Sequence, residues 1–213
     1  MKKLIYFLIF FPSLIFAQNQ NDERKFNFNF KAGVVLSDAS TDKAYIDNEN
    51  ITKNKTSFYL GAGFEYFISK MFSTNIGLEY LTTGSEKTGN NFEKIDFSQI
   101  KIPLTIKAKL FKGLYLEGGS YVSFITNMDT KDYSGEINPN YIENENIDYG
   151  VLFGLGYNYN DFFIEANINI GFVDLINYNE NNFGPEFDPI IDAGESDPEF
   201  KNKYFQVGVG YKF

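Results

Sequence analysis

Cysteine, histidine and tryptophan are absent from the 213 residues. Without cysteine there is no disulfide, no thiolate nucleophile and no thiol for lipid attachment. Without histidine, a Ser-His-Asp triad and a histidine-ligated zinc are excluded. So is the side chain best suited to exchanging a proton near neutral pH. No P-loop and no GxGxxG stretch occurs. Apart from one stretch at the start, long apolar runs are missing too, and an apolar content of 43% excludes a helical membrane protein with several spans. The net charge of −9 disfavours a nucleic-acid partner.

The one apolar stretch, "LIYFLIFFPSLIF", follows Lys2 and Lys3 and precedes Ala17. It is short and interrupted by proline, so residues 1–17 are expected to be a signal peptide cleaved after Ala17, and residues 18–213 a single domain.

What the chain has in abundance is aromatic residues, 24 Phe and 15 Tyr, and they recur every second position. Eight runs alternate in polarity, the period of a strand with two different environments. The first is "KFNFNFKAGVVL" (25–36), with Phe26, Phe28, Phe30, Ala32, Val34 and Leu36 on one face. The others are Thr56–Ile68, Phe72–Thr83, about Ile95–Leu110, Leu114–Met128, Ile147–Tyr159, Phe162 to about Ile176, and the terminal run through Phe213. In each, one face is Phe, Ile, Leu, Val and Tyr, and the other is rich in Gly, Asn, Ser, Lys and Glu. Pro103 within the fourth run removes a ladder donor, so a bulge or kink is expected there.

The connections alternate between short and long. "SKM", "FKG" and "ND" are of hairpin length, whereas about 37–55, 84–94, 129–146 and 177–203 are long and polar. That pattern predicts an all-β, eight-stranded, antiparallel up-and-down transmembrane β-barrel, with short turns at one end and long loops at the other. A soluble lipocalin-type barrel also closes eight strands. Its narrow interior would then have to hold the crowded Phe and Ile while the glycines and amides met water. The apolar face is therefore expected to meet lipid.

The final octet, "QVGVGYKF", places a polar residue at Gln206, glycine at Gly208 and aromatics at Tyr211 and Phe213. It resembles the C-terminal signal of bacterial outer-membrane proteins, which the barrel-assembly machinery reads. Together with the eight runs, the mature chain resembles the outer-membrane β-barrel domain family of Bacteroidota, which includes PorT-like proteins and is similar in architecture to small OmpA/OmpX-type barrels. The resemblance implies integral outer-membrane localisation, with periplasmic short turns and termini and extracellular long loops. It also implies lipid and lipopolysaccharide as surroundings and the assembly machinery as a partner during biogenesis.

Removing Lys2 and Lys3 takes the net charge from −9 to −11. The third long loop (Asp129, Asp132, Glu136, Glu143 and Glu145 against Lys131) carries −4 of this, and the fourth (177–203) carries −5. The acidity describes a solvated, repelling surface. A sharper reading is divalent-cation binding by loop carboxylates, but "DPIIDAGESDPE" lacks the spacing of an EF-hand loop. On the inner faces, Lys31, Lys101, Lys107, Lys109 and Lys212 meet Glu65, Glu79, Glu117 and Glu165. Buried charges must be paired, so an ion-pair network filling the lumen is expected.

Small outer-membrane barrels that are enzymes use a histidine, which this chain lacks. Glu65 and Glu79 on adjacent strands could in principle form a carboxylate pair for glycoside chemistry, but a lumen position suits salt bridges better. The sequence therefore reads as a non-enzyme without cofactor. Two roles remain: an envelope-structural or surface-interaction protein, or a PorT-like component of secretion or transport.

Overall fold

The computed structural model describes residues 25–37, 52–87, 93–131, 142–178 and 201–213. The expected signal peptide and most of the acidic loop residues lie outside them. Ten strands occur among the described residues: β1 (Phe26–Ser37), β2 (Thr52–Phe67), β3 (Phe72–Lys87), β4 (Glu93–Lys109), β5 (Leu114–Lys131), β6 (Ile142–Asn144), β7 (Ile147–Tyr159), β8 (Phe162–Asp174), β9 (Ile176–Tyr178) and β10 (Lys201–Lys212). Eight of them close a barrel in the order β1-β10-β8-β7-β5-β4-β3-β2, and every pairing is antiparallel. β6 and β9 pair with each other as a separate two-stranded sheet.

The short turns are built by their own residues. At the β4–β5 turn, Lys112 and Gly113 both have positive φ (44° and 92°), and Leu114 N–H donates to Phe111 O at 2.9 Å. Two successive residues in that region match the right-handed twist of the paired strands. Asn160, at φ 53°, turns β7 into β8. At the β2–β3 turn the Ser69 hydroxyl accepts from the amides of Met71 and Phe72 at 3.3 and 3.1 Å.

Two expectations are corrected. No bulge forms at Pro103. The register is the same on both sides of it, with Ile76 opposite Leu104 and Glu79 opposite Lys101. Gly77 stands across from the proline, and a Cβ added there would lie 3.1 Å from Pro103 Cγ, so the missing side chain makes room for the ring. Register shifts occur instead at Asn54/Tyr59, Ser98/Gln99 and Lys201/Lys203, all towards the long-loop end. The second long loop also shortens. β3 runs on to Lys87 and β4 begins at Glu93, leaving residues 88–92 between them.

The apolar residues of the alternation face outwards. Phe58, Leu60, Phe30, Ile106 and Phe153 are each more than half exposed, far beyond what scattered surface apolar residues require. Near the short-turn end, the rings of Tyr211 and Phe213 pack edge-on 4.9 Å apart, with Phe162 5.0 Å from Tyr211 and Phe30 5.8 Å from Phe213. The chain end is tied in, since Phe213 N–H donates to Phe28 O at 2.8 Å.

Candidate functional site: the charged lumen

The lumen is where the strands bring the polar residues together. Glu79 of β3 lies between two ammoniums, 2.7 Å from Lys31 of β1 and 2.8 Å from Lys101 of β4. Lys31 also reaches Glu165 of β8 at 2.7 Å. Lys101 donates to Gln206 Oε1 (2.7 Å) and Asn169 Oδ1 (3.1 Å), and Gln206 Nε2 donates back to Glu79 at 3.2 Å. All these side chains are buried. In such surroundings an ion pair holds only when its remaining hydrogen-bonding capacity is met, which the amides of Gln206 and Asn169 do for Lys101.

Two further pairs lie nearer the short-turn end. Lys212 meets Glu65 at 2.9 Å, and Ser73 donates to the same carboxylate at 2.6 Å. Lys107 stands 3.8 Å from Glu117, which accepts from Thr105 at 2.6 Å. Lys109, expected in this network, stands apart. Its ammonium is 4.2 Å from the centre of the Phe67 ring and is half-buried at the rim, because it is the last residue of β4. These ion pairs thus bring together four lysines and four glutamates.

Towards the long-loop end apolar side chains join the buried polar ones. Val35, Tyr59, Leu81 and Tyr204 form one buried cluster, and Phe97 packs on Leu175 in another. Tyr59 lies across two facing glycines of the closing seam. A Cβ on Gly33 would be 2.6 Å from its ring, and one on Gly208 would be 2.0 Å from its hydroxyl. Only glycine permits that approach. Lys101 rests over the Tyr204 and Tyr121 rings at 5.3 and 5.7 Å.

The terminal motif divides between the two sides of the wall. Tyr211 and Phe213 are on the outer surface, whereas Gly208 and Gln206 are inside. Sequence reasoning placed Gln206 in the C-terminal signal and missed its place at the centre of the ion-pair cluster. It also missed Asp148, a fully buried carboxylate accepting from Tyr121 (3.2 Å) and Asn202 (3.3 Å), and the Lys55–Asp96 pair. The alternation carried a signal for Asp148, which shares the inner face of β7 with Gly150 and Leu152. Among the described residues, no group of three or more acidic side chains is placed to hold a metal ion.

A closed barrel with an apolar outside and an ion-paired inside is an integral β-barrel membrane protein. The chain belongs to the outer membrane protein beta-barrel domain family, whose model matches residues 16–177, so its place is the bacterial outer membrane. No curated protein matches the sequence. Among solved structures, the chain is similar to Ail, the attachment invasion locus protein of Yersinia pestis, in complex with the heparin analogue sucrose octasulfate. The identity is 15%, 89% of this chain and 99% of that one are covered, and the TM-score is 0.49. Neisserial surface protein A (13% identity, 89% and 97% covered, TM-score 0.49) and the outer membrane protein OprG from Pseudomonas aeruginosa (16%, 88% and 95%, TM-score 0.45) are similar as well.

Proposed function

We propose that the protein is a non-enzymatic outer-membrane barrel serving an envelope-structural or surface-interaction role. Its short turns and termini face the periplasm, and its acidic long connections face outwards. The observation that carries this reading is the lumen. Glu65, Glu79, Glu117 and Glu165 each sit in an ion pair inside a closed barrel, so none of these four carboxylates is offered to a substrate as a free acid or base. The outer surface suits lipid, and the acidic connections suit a solvated surface that meets anionic lipopolysaccharide through bridging divalent cations. Gln206, Gly208, Tyr211 and Phe213 are the residues offered to the assembly machinery.

The test is deletion of the gene followed by a comparison of the secreted proteins. Unchanged secretion is expected. Loss of protein export would replace this reading with the PorT-like one. Orientation is checked with single cysteines, because the chain has none of its own. A membrane-impermeant thiol reagent on whole cells is expected to label cysteine at Asp132 or Asp192 and to miss it at Lys112 or Asn160, and the opposite pattern would invert the topology. In planar bilayers no steady porin-scale conductance is expected, and a stable open pore would refute the filled lumen.

A further inference from the structure

The three short turns differ in charge. Lys70 stands in the β2–β3 turn and Lys112 in the β4–β5 turn, whereas the β7–β8 turn carries Asp161. Neither of the first two holds an acidic residue: residues 68–72 read "ISKMF" and residues 110–114 read "LFKGL". The two turns are neighbours, since Lys109 N–H donates to Met71 O at 2.7 Å. In the lumen, Lys31, Lys101, Lys107 and Lys212 each stand 3.8 Å or less from a carboxylate. Lys70 and Lys112 have no carboxylate partner among the described residues, and the Lys112 ammonium rests 5.0 Å from the centre of the Phe111 ring. The whole chain has a net charge of −9, so two lysines left unpaired on adjacent turns are offered to an anion from outside.

The same turns expose large apolar side chains. Ile68, Met71, Leu110 and Phe111 are each more than half exposed. Ammonium groups beside exposed apolar side chains suit the boundary of a bilayer, where stems and rings meet hydrocarbon and the charge meets phosphate. Beyond Lys112 the outer wall carries a groove of about 400 Å³. Its lining includes Ile106 and Ala108 of β4, Leu116 and Gly118 of β5, and Phe153 of β7. Ala108 is opposite Leu116, and Gly118 is opposite both Ile106 and Phe153. Two small residues among larger ones leave the hollow open, and a Cβ added to Gly118 would meet nothing nearer than the Phe153 ring at 3.5 Å. Ala108 and Leu116 lie four residues to either side of Lys112, so the groove runs along the two strands that its turn joins. A soluble anionic partner would account for the lysines but not for a groove on the lipid-facing wall.

We propose that this flank of the barrel holds one anionic phospholipid of the leaflet that the short turns face, with its phosphate on Lys112 and Lys70 and an acyl chain in the groove between Ile106, Gly118 and Phe153. Charge recognises the headgroup at the turns, and shape recognises the chain along the wall. Lysines near an anionic membrane surface each strengthen such binding several-fold. The β7–β8 turn, with Asp161 in place of a lysine, repels the same headgroup, so the lipid shell around the barrel is uneven. The proposal rests on the lipid-facing reading of the outer wall and takes its leaflet from the orientation proposed above.

The test uses the full chain folded in phosphatidylcholine vesicles at low salt, with a bimane fluorophore on a single cysteine. Leu155→Cys reports beside the groove, because Leu155 is opposite Leu116. Leu60→Cys reports from β2, four strands away from β7 in either direction. The probes are phosphatidylglycerol and phosphatidylcholine carrying a nitroxide on the acyl chain, which quenches the fluorophore on contact. At Leu155→Cys the anionic lipid is expected to quench at least roughly threefold more strongly than the neutral one, and at Leu60→Cys the two are expected to match. Adding Lys70→Gln and Lys112→Gln should abolish the excess, and about 0.5 M salt should reduce it. Gly118→Leu fills the groove and should at least halve the excess with both lysines in place. Equal quenching at Leu155→Cys, an equal excess at both positions, or an excess that survives the loss of both lysines would overturn the site. An excess untouched by Gly118→Leu in a folded barrel would overturn the part given to the groove. The orientation fails separately: labelling of Lys112→Cys in whole cells would move the lipid to the other leaflet, yet leave the quenching in vesicles unchanged.

Discussion

Glu79→Gln removes one negative charge and almost no volume from the centre of the lumen. Lys31 keeps Glu165 as a partner, 2.7 Å away. Lys101 keeps only the neutral oxygens of Gln206 and Asn169, at 2.7 and 3.1 Å, with 1% of its side chain exposed. Stranding one member of a buried pair in this way costs about 3–5 kcal/mol, several times the value of a surface pair. The loss should be coupled to Lys101. Adding Lys101→Met removes the stranded ammonium, and the double variant is expected to regain at least about 2 kcal/mol over Glu79→Gln, leaving mainly the price of acceptors on Gln206 and Asn169 that have lost a donor. Urea unfolding of the refolded protein in detergent micelles measures this. Far-UV circular dichroism is the readout, because there is no tryptophan. The reasoning is refuted if Glu79→Gln costs less than about 1 kcal/mol, or if the two single effects add up to the double.

Other outcomes are expected elsewhere. Deleting Phe213 removes the ring packed on Phe30 and Tyr211 and the amide bonded to Phe28 O, so insertion should slow while export continues; wild-type yield in the outer membrane would argue against a role in assembly. Gly33→Ala forces a Cβ to within 2.0 Å of Val207 O and 2.5 Å of Gly208 Cα, both backbone, and should destabilise by about 1–3 kcal/mol in the same unfolding assay. Gly118→Ala, on the lipid side, meets nothing closer than 3.5 Å and should change stability by less than about 0.5 kcal/mol, so equal effects would show that the clash at the seam is relieved.

The strands and hairpin pairings were legible because one face of each strand is uniformly apolar, and a slip of one residue would turn that face inwards. The partners inside were not. Alternation says that Lys31 and Glu79 face the same space, but their distance depends on the stagger of the closed sheet, to which no single strand is a guide. The same limit hid Glu165 as a partner of Lys31 and Gln206 as a partner of Lys101. The extension of β3 to Lys87 was hidden for another reason. "TTGSEK" has no apolar side chain, so the alternation of polarity that marks the other strands is missing from it. Pro103 misled because a missing donor was read as a slip. Its neighbour across the ladder, Gly77, absorbs the ring without one.

The polar contacts of the lumen also impose an order of events. Lys31 and Glu165 are 134 residues apart, Glu79 and Gln206 are 127 apart, and Glu65 and Lys212 are 147 apart. A chain laid down only as far as β5 holds Glu65 without Lys212 and Lys101 without the amides of Asn169 and Gln206. Its inner wall cannot dry until β8 and β10 arrive. Long-range contacts of this kind form late, since the intervening chain must first be ordered. Closing the barrel and neutralising its interior are therefore one step, and an unfinished barrel carries the charges that mark it as unfinished.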